Sequence, residues 1–294
     1  MLTLTAGALT LELAPDIGGS IARFFSTRPG GIVHWLRPAP PDAQDPRRMA
    51  SFPLVPFCGR IRNGQFSFDG QKVALPPNFP GSPHPLHGDG WHRRWTVAAH
   101  TQSSATLTLV HHRADWPFAY RARQMFHLSA DRLTIELAVT NTDSRPMPLG
   151  LGQHPHLPLT PETTVTARVA QMWETDSELL PTRTTRNDIV TKLESGLRLA
   201  TAALDNNFTG WQREATVRWP ERGDSLRLSA DPPLSWLVLF TPPSRDYFCL
   251  EPVSNCADWP NLTHVDTSLT GGAFVAPGAT LTATMHLDPQ PGIS

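Results

Sequence analysis

Two short stretches set histidine beside glycine and proline: His84-Pro85-Leu86-His87-Gly88-Asp89-Gly90-Trp91-His92 and Gly150-Leu151-Gly152-Gln153-His154-Pro155-His156-Leu157. Imidazole titrates near neutrality, so it can give or take a proton, or ligate a metal. A third stretch, Tyr247-Phe248-Cys249-Leu250-Glu251-Pro252-Val253-Ser254-Asn255, ends an apolar run on a carboxylate. Burying Glu251 there is costly unless it is paired or hydrogen-bonded. Partial burial would raise its pKa toward that of a general base. A fourth stretch, Pro56-Phe57-Cys58-Gly59-Arg60-Ile61-Arg62-Asn63-Gly64-Gln65-Phe66, puts two arginines just before a hairpin. Guanidinium offers several fixed donors and suits a hydroxyl or anion clamp. Each residue also has a plain reading: surface charge for the arginines, a strand-end surface position for Glu251, a structural role for any single histidine. Metal binding by His84, His87, His154 and His156 is a further alternative, although no His-Glu-x-x-His occurs and the cysteines are not paired in motif spacing.

The elements that must position these residues are strands. Leu2, Leu4, Leu9, Leu11 and Leu13 alternate with small or polar residues, a period of two. Residues 66–68 and 71–75 flank Asp69-Gly70, a two-residue hairpin signal. Further strands are predicted over 95–99, 105–110, 120–128, 133–140, 163–170, 215–219, 225–229, 235–240, 247–251 and 280–287, with one short helix over 186–194. The chain has thirty prolines, which cluster between these runs, as in 38–46, 76–85 and 155–161. Proline lacks the amide donor of a central strand, so these stretches are expected as loops. The pattern predicts an all-β protein, a large antiparallel β-sandwich, with residues 1–294 forming one domain and no linker or repeat dividing it.

Composition narrows the partners. A net charge of −1 gives no basic field for nucleic acid. No apolar stretch approaches the ~20 residues of a membrane helix, and Met1-Leu2-Thr3-Leu4-Thr5 has no basic signal-peptide start. Three cysteines in 294 residues fit free thiols in a reducing, cytoplasmic setting. The triplets Asn207-Phe208-Thr209 and Asn261-Leu262-Thr263 are then chance matches to a glycosylation signal. Only Lys72 and Lys192 could supply an amine for Schiff-base chemistry.

Taken in order, the segments resemble the aldose 1-epimerase (galactose mutarotase-like) superfamily. The resemblance rests on Gly59-Arg60-Ile61-x-x-Gly64-x-Phe66, on Leu86-His87-Gly88 with Gly90 and Trp95, and on Gly152-Gln153-His154-Pro155-His156-Leu157. It rests further on Asp205-Asn206-Asn207-Phe208 and on Glu251 after a short apolar strand. It implies a one-domain antiparallel β-sandwich that exchanges the α and β anomers of an aldose, with no metal and no organic cofactor. It also implies roles: His154 as acid, Glu251 as base, and Arg60, His87 and Asp205 as sugar-binding residues. Two departures stand out. His156-Leu157 replaces an aromatic pair, and Asn206 stands where histidine is common. Glucose-6-phosphate 1-epimerases resemble the same superfamily, and Arg62, Arg93 and Arg94 are the cations that could meet a phosphate. The low net charge and two lysines favour a neutral sugar. A sugar-binding protein without catalysis is the remaining alternative.

Overall fold

The computed structural model describes residues 1–243 and 246–292. Period-two patterning becomes strands with one buried and one wetter face. Tyr120–Leu128, Leu133–Asn141 and Asp224–Ala230 all alternate in this way. They belong to a nine-stranded antiparallel sheet. Its order is Leu197–Arg198, Thr164–Ala167, Glu214–Trp219, Asp224–Ala230, Thr280–Gln290, Leu133–Asn141, Tyr120–Leu128, Ser104–His111 and Thr96–His100. A second large sheet runs Pro181–Thr185, Gln171–Thr175, Asp205–Thr209, Trp236–Phe240, Tyr247–Val253, Gly152–Gln153 and Pro53–Leu54, with His156–Pro158 also paired to Tyr247–Val253. Leu137, Val139, Val217 and Leu228 from the first sheet share one apolar core with Phe208, Leu237, Leu239, Phe248 and Leu250 from the second. The architecture is the expected large antiparallel β-sandwich. A four-stranded sheet, Leu2–Ala6, Leu9–Ala14, Ser20–Arg28 and Gly31–His34, adds Leu4, Leu11 and Phe24 to the same core.

The Asp69-Gly70 hairpin joins Gln65–Phe68 to Gln71–Ala74. Both turn residues have positive φ, 49° and 71°, as a type I′ turn requires. The short helix is Asp188–Ser195, capped by the Asn187 side chain on the amides of Ile189 and Val190. The prolines of 38–46 and 76–85 do mark loops. Within 155–161 the expectation fails in part, because His156–Pro158 pairs with Tyr247–Val253. Three residues suffice there, and Pro158 sits at the strand's last position. Glu251 also lies inside its strand, not at its end, since pairing runs on to Val253 opposite Trp236. No described helix is long and apolar enough to cross a membrane.

Candidate active site

The strand Tyr247–Val253 is buried on both faces beyond its first residue. Alternation sends Phe248 and Leu250 into the core. Tyr247, Cys249 and Glu251 therefore point the other way. Register extends that second face across the sheet: Glu251 pairs with Val238 and Val238 with Asn207, while Cys249 pairs with Phe240 and Phe240 with Asp205. Glu251, Val238, Asn207, Tyr247, Phe240 and Asp205 all line one cavity of about 680 Å³, within the usual range for a small-molecule site.

The two histidine loops close over this face. The His154 amide donates to the Phe52 carbonyl (3.0 Å) and the His156 amide to that of Ala50 (2.9 Å), laying the second loop along residues 50–54. The Phe52 ring stacks on His154, with centroids 4.4 Å apart. His87 sits at φ 60°, a left-handed conformation uncommon for a side-chain-bearing residue. Four hydrogen bonds hold the residue and its loop there. The His87 amide donates to the Gly59 carbonyl (2.9 Å), and the Gly59 amide donates to His87 Nδ1 (3.1 Å). The Asn78 amide group donates to the carbonyls of Leu86 (2.9 Å) and Gly88 (2.8 Å). Because Nδ1 accepts, the neutral ring carries its proton on Nε2. Burial drives its pKa well down, with His154 and Arg60 adding to the effect. Gly88 has φ +70°, and a Cβ there would lie 2.3 Å from the Val55 carbonyl oxygen.

His154 Nε2 lies 3.2 Å from Glu251 Oε1. Glu251 is 2% exposed and His154 8%. Burial raises the Glu251 carboxyl well above its ordinary value, with Asp205 raising it further and Arg60 opposing. Burial also lowers His154 to about 3. Both shifts favour the uncharged form of each partner. Glu251 Oε2 and His154 Nδ1 have no hydrogen-bond partner. Arg60 Nη2 meets Asp205 Oδ2 at 3.4 Å. Burial raises the Asp205 carboxyl, and Arg60 pulls it back. Together the cavity presents a carboxyl–imidazole pair, the His87 ring, and a guanidinium–carboxylate pair.

The sequence profile of the aldose 1-epimerase family matches residues 1–288. The chain belongs to the aldose 1-epimerase family. The uncharacterized protein YphB of Escherichia coli K12 is 32% identical over 97% of both chains. A solved structure from the same organism, described as a candidate aldose 1-epimerase, superposes with a TM-score of 0.89 at 30% identity, covering 99% of this chain and 98% of that one. A galactose mutarotase-like protein from Clostridium acetobutylicum shares the fold, with a TM-score of 0.87 at 21% identity over 98% and 94% of the two chains.

Within this family member, His154, Glu251, Arg60, His87 and Asp205 all line the one cavity. His156 lines it too, its Nδ1 hydrogen-bonded to the Met49 carbonyl at 2.8 Å. Asn206 turns instead to donate to the Trp173 carbonyl (2.9 Å). His84 is structural: its Nδ1 accepts from the Asn63 amide at 3.0 Å. The arginines that could have met a phosphate do not line the cavity. Arg62 reaches Asp258 and Asp176, Arg93 reaches Asp89, and Arg94 reaches Asp16. The sequence reading missed Phe52, Asn78 and the lining arginines Arg37, Arg47 and Arg48. It left open which tryptophans take part, and Trp91 and Trp173 are in the wall. Two sets place donor atoms within 4.8 Å of one another, His154–His156–Cys249 and His87–His154–Glu251. Either offers nitrogen with thiolate or carboxylate donors that a divalent transition metal accepts.

Proposed function

We propose that this chain interconverts the α and β anomers of an aldohexose, with Glu251 as general base and His154 as general acid. The observation that carries this reading is the 3.2 Å contact between His154 Nε2 and Glu251 Oε1 in the wall of a sugar-sized cavity. Ring opening removes the proton from the C1 hydroxyl and delivers one to the ring oxygen as the C1–O5 bond breaks. Glu251 as carboxylate takes the first proton, and His154 as imidazolium gives the second. The pair then stands as carboxylic acid and neutral imidazole, the form that burial favours for both groups. Rotation about C1–C2 presents the other carbonyl face. Reclosure runs the transfers backward: Glu251 returns a proton to O1, and His154 takes one from the attacking hydroxyl. One proton shared across the pair therefore serves both directions, and no further cofactor is needed for the proton balance. Arg60, Asp205 and His87 Nε2–H hold hydroxyl groups around the reacting centre.

The test is polarimetry or exchange NMR on a sugar panel. Glu251→Gln and His154→Asn should each fold and lose at least ~10²-fold in kcat, the lower range for general acid–base catalysis. His156→Asn should act mainly on KM. Exhaustive chelation should leave the wild-type rate intact. Near-wild-type rates in Glu251→Gln, or loss of activity with EDTA that a divalent ion restores, would remove this mechanism. Sugar binding without turnover would favour the non-catalytic alternative.

A further inference from the structure

The cavity wall carries more positive charge than its carboxylates balance. Arg37, Arg47, Arg48 and Arg60 line it, against Asp45, Asp205 and Glu251. Arg47 Nε lies 2.9 Å from Asp45 Oδ2, and Arg60 is paired with Asp205. Glu251 faces His154 Nε2 at 3.2 Å, and its burial favours the uncharged form. Arg48 reaches only Asp42, at 3.3 Å, on the outer surface. Arg37 has no carboxylate partner among the described residues.

Arg37 is nonetheless firmly placed. Its Nη2 donates to the carbonyls of Arg47 and Met49, each at 2.9 Å. Its guanidinium lies 4.1 Å from the centre of the Tyr247 ring. Its Nε is buried without a partner. The Met49 carbonyl that takes Arg37 also takes His156 Nδ1 at 2.8 Å. The Arg37 amide in turn donates to the His156 carbonyl (2.8 Å). Arg37 and His156 thus form one unit, and His156 is the position where this chain departs from the aromatic residue of its family resemblance. A guanidinium that lines the cavity and is held by main-chain carbonyls rather than a carboxylate keeps its charge uncompensated, which suits an incoming oxyanion.

The placement of charge along the cavity gives the register. Arg60 meets Asp205 at 3.4 Å, on the strand paired beside Trp236–Phe240, whereas Arg37 shares the Met49 carbonyl with His156, whose ring lies 4.9 Å from that of His154. In the proposed reaction, Glu251 faces O1 and His154 faces the ring oxygen. The atom beyond the ring oxygen is C5, which bears the exocyclic C6. We infer that the preferred sugar is an aldohexose with an oxyanion on C6, and that Arg37, backed by Tyr247 and His156, is the residue that selects it. The inference rests on the proposed anomer exchange for its register. It differs from the expectation of a neutral sugar, which rested on whole-chain charge. A C6 carboxylate, a sulfate ester and a phosphate ester share this chemistry.

Calorimetry on the full chain with glucose, glucuronate, glucose 6-sulfate and glucose 6-phosphate separates them. At least one anionic sugar should bind wild type roughly ten- to hundredfold tighter than glucose, the range for hydrogen bonds to charged groups. Added salt should weaken that binding and leave glucose unaffected. Arg37→Gln, with its fold checked by thermal melting, should bring the anionic sugar to the Kd of glucose in the same variant. Arg37→Lys should recover part of the preference. Glucose binding as tightly as all three anions in wild type would overturn the inference without need of any variant. So would a preference that survives Arg37→Gln. Exchange NMR on the sugars that bind keeps the two readings apart. An anionic preference without turnover sinks the epimerase and leaves the subsite, whereas glucose turnover without a preference does the reverse.

Discussion

The Glu251 carboxyl is stripped of water by strands on both sides and has one oxygen without a partner. Its raised pKa means the folded state keeps a proton that the unfolded chain releases near 4.5. Below that pH both states are protonated and the group costs nothing. As pH rises from the unfolded value toward the folded one, the unfolded state ionises and gains, so the folded state loses stability. His154 has the opposite sign: lowered to about 3, it makes the fold more stable as pH rises from there toward 6.5. Glu251→Gln removes only the first effect. The variant should therefore melt above wild type at pH 7, with the gap closing as pH falls to 4, while its activity is lost. A gap that stays constant with pH would mean that Glu251 is ionised in the folded protein. Glu251 drew notice in the sequence as a carboxylate in an apolar run, whereas His154 was singled out only through the family resemblance, since a lone histidine is more often structural. Phe52 and Asn78 were not legible, because stacking on His154 and bridging Leu86 to Gly88 are ordinary tasks for ordinary residues until the loops are brought together.

Elements were legible where one face is buried and the other wet, as in Tyr120–Leu128 and Leu133–Asn141. Gln171–Thr175 and Pro181–Thr185 escaped, since their sheet end lacks clean alternation. The loop from Leu86 to Gly90 shows how an element without regular structure can be as fixed as a strand. Gly88 combines φ +70° with a Cβ direction that ends 2.3 Å from the Val55 oxygen, so backbone, not a movable side chain, blocks it. Gly70 has a similar φ of +71° and nothing within 4 Å. Comparing the two separates strain from collision. Gly70→Ala should cost roughly 1–2 kcal/mol from the left-handed backbone alone and keep full activity. Gly88→Ala should cost more in thermal melts and lower kcat/KM, because the loop must lift and carry His87 with it. Equal losses for the two variants, with activity intact in both, would show that the His87 loop has slack.

At the scale of the whole molecule, the residues that meet in the cavity come from positions 37 to 257, and the strands that hold them are interleaved in sequence. Thr280–Gln290 is the sharpest case. It lies inside the nine-stranded sheet, pairing Leu133–Thr140 on one side and Ser225–Ala230 on the other. Ala283, Met285 and Leu287 are buried in the common core. Asp224, buried, receives Arg28 from the four-stranded sheet (2.9 Å) and the Gly292 amide (2.9 Å), which joins both ends of the chain at one carboxylate. We infer from this that residues 1–294 fold as one cooperative unit. Removing residues 278–294 would open two strand edges in mid-sheet and take three side chains out of the core, a loss of several kcal/mol against a total stability of about 5–15. The intact chain should melt in a single calorimetric transition, with every probe coincident. The truncated chain should show none, although all the cavity residues are still present. A surviving transition in the truncated chain would mean that the second sheet and its cavity fold independently of the first, and that two units make up this chain.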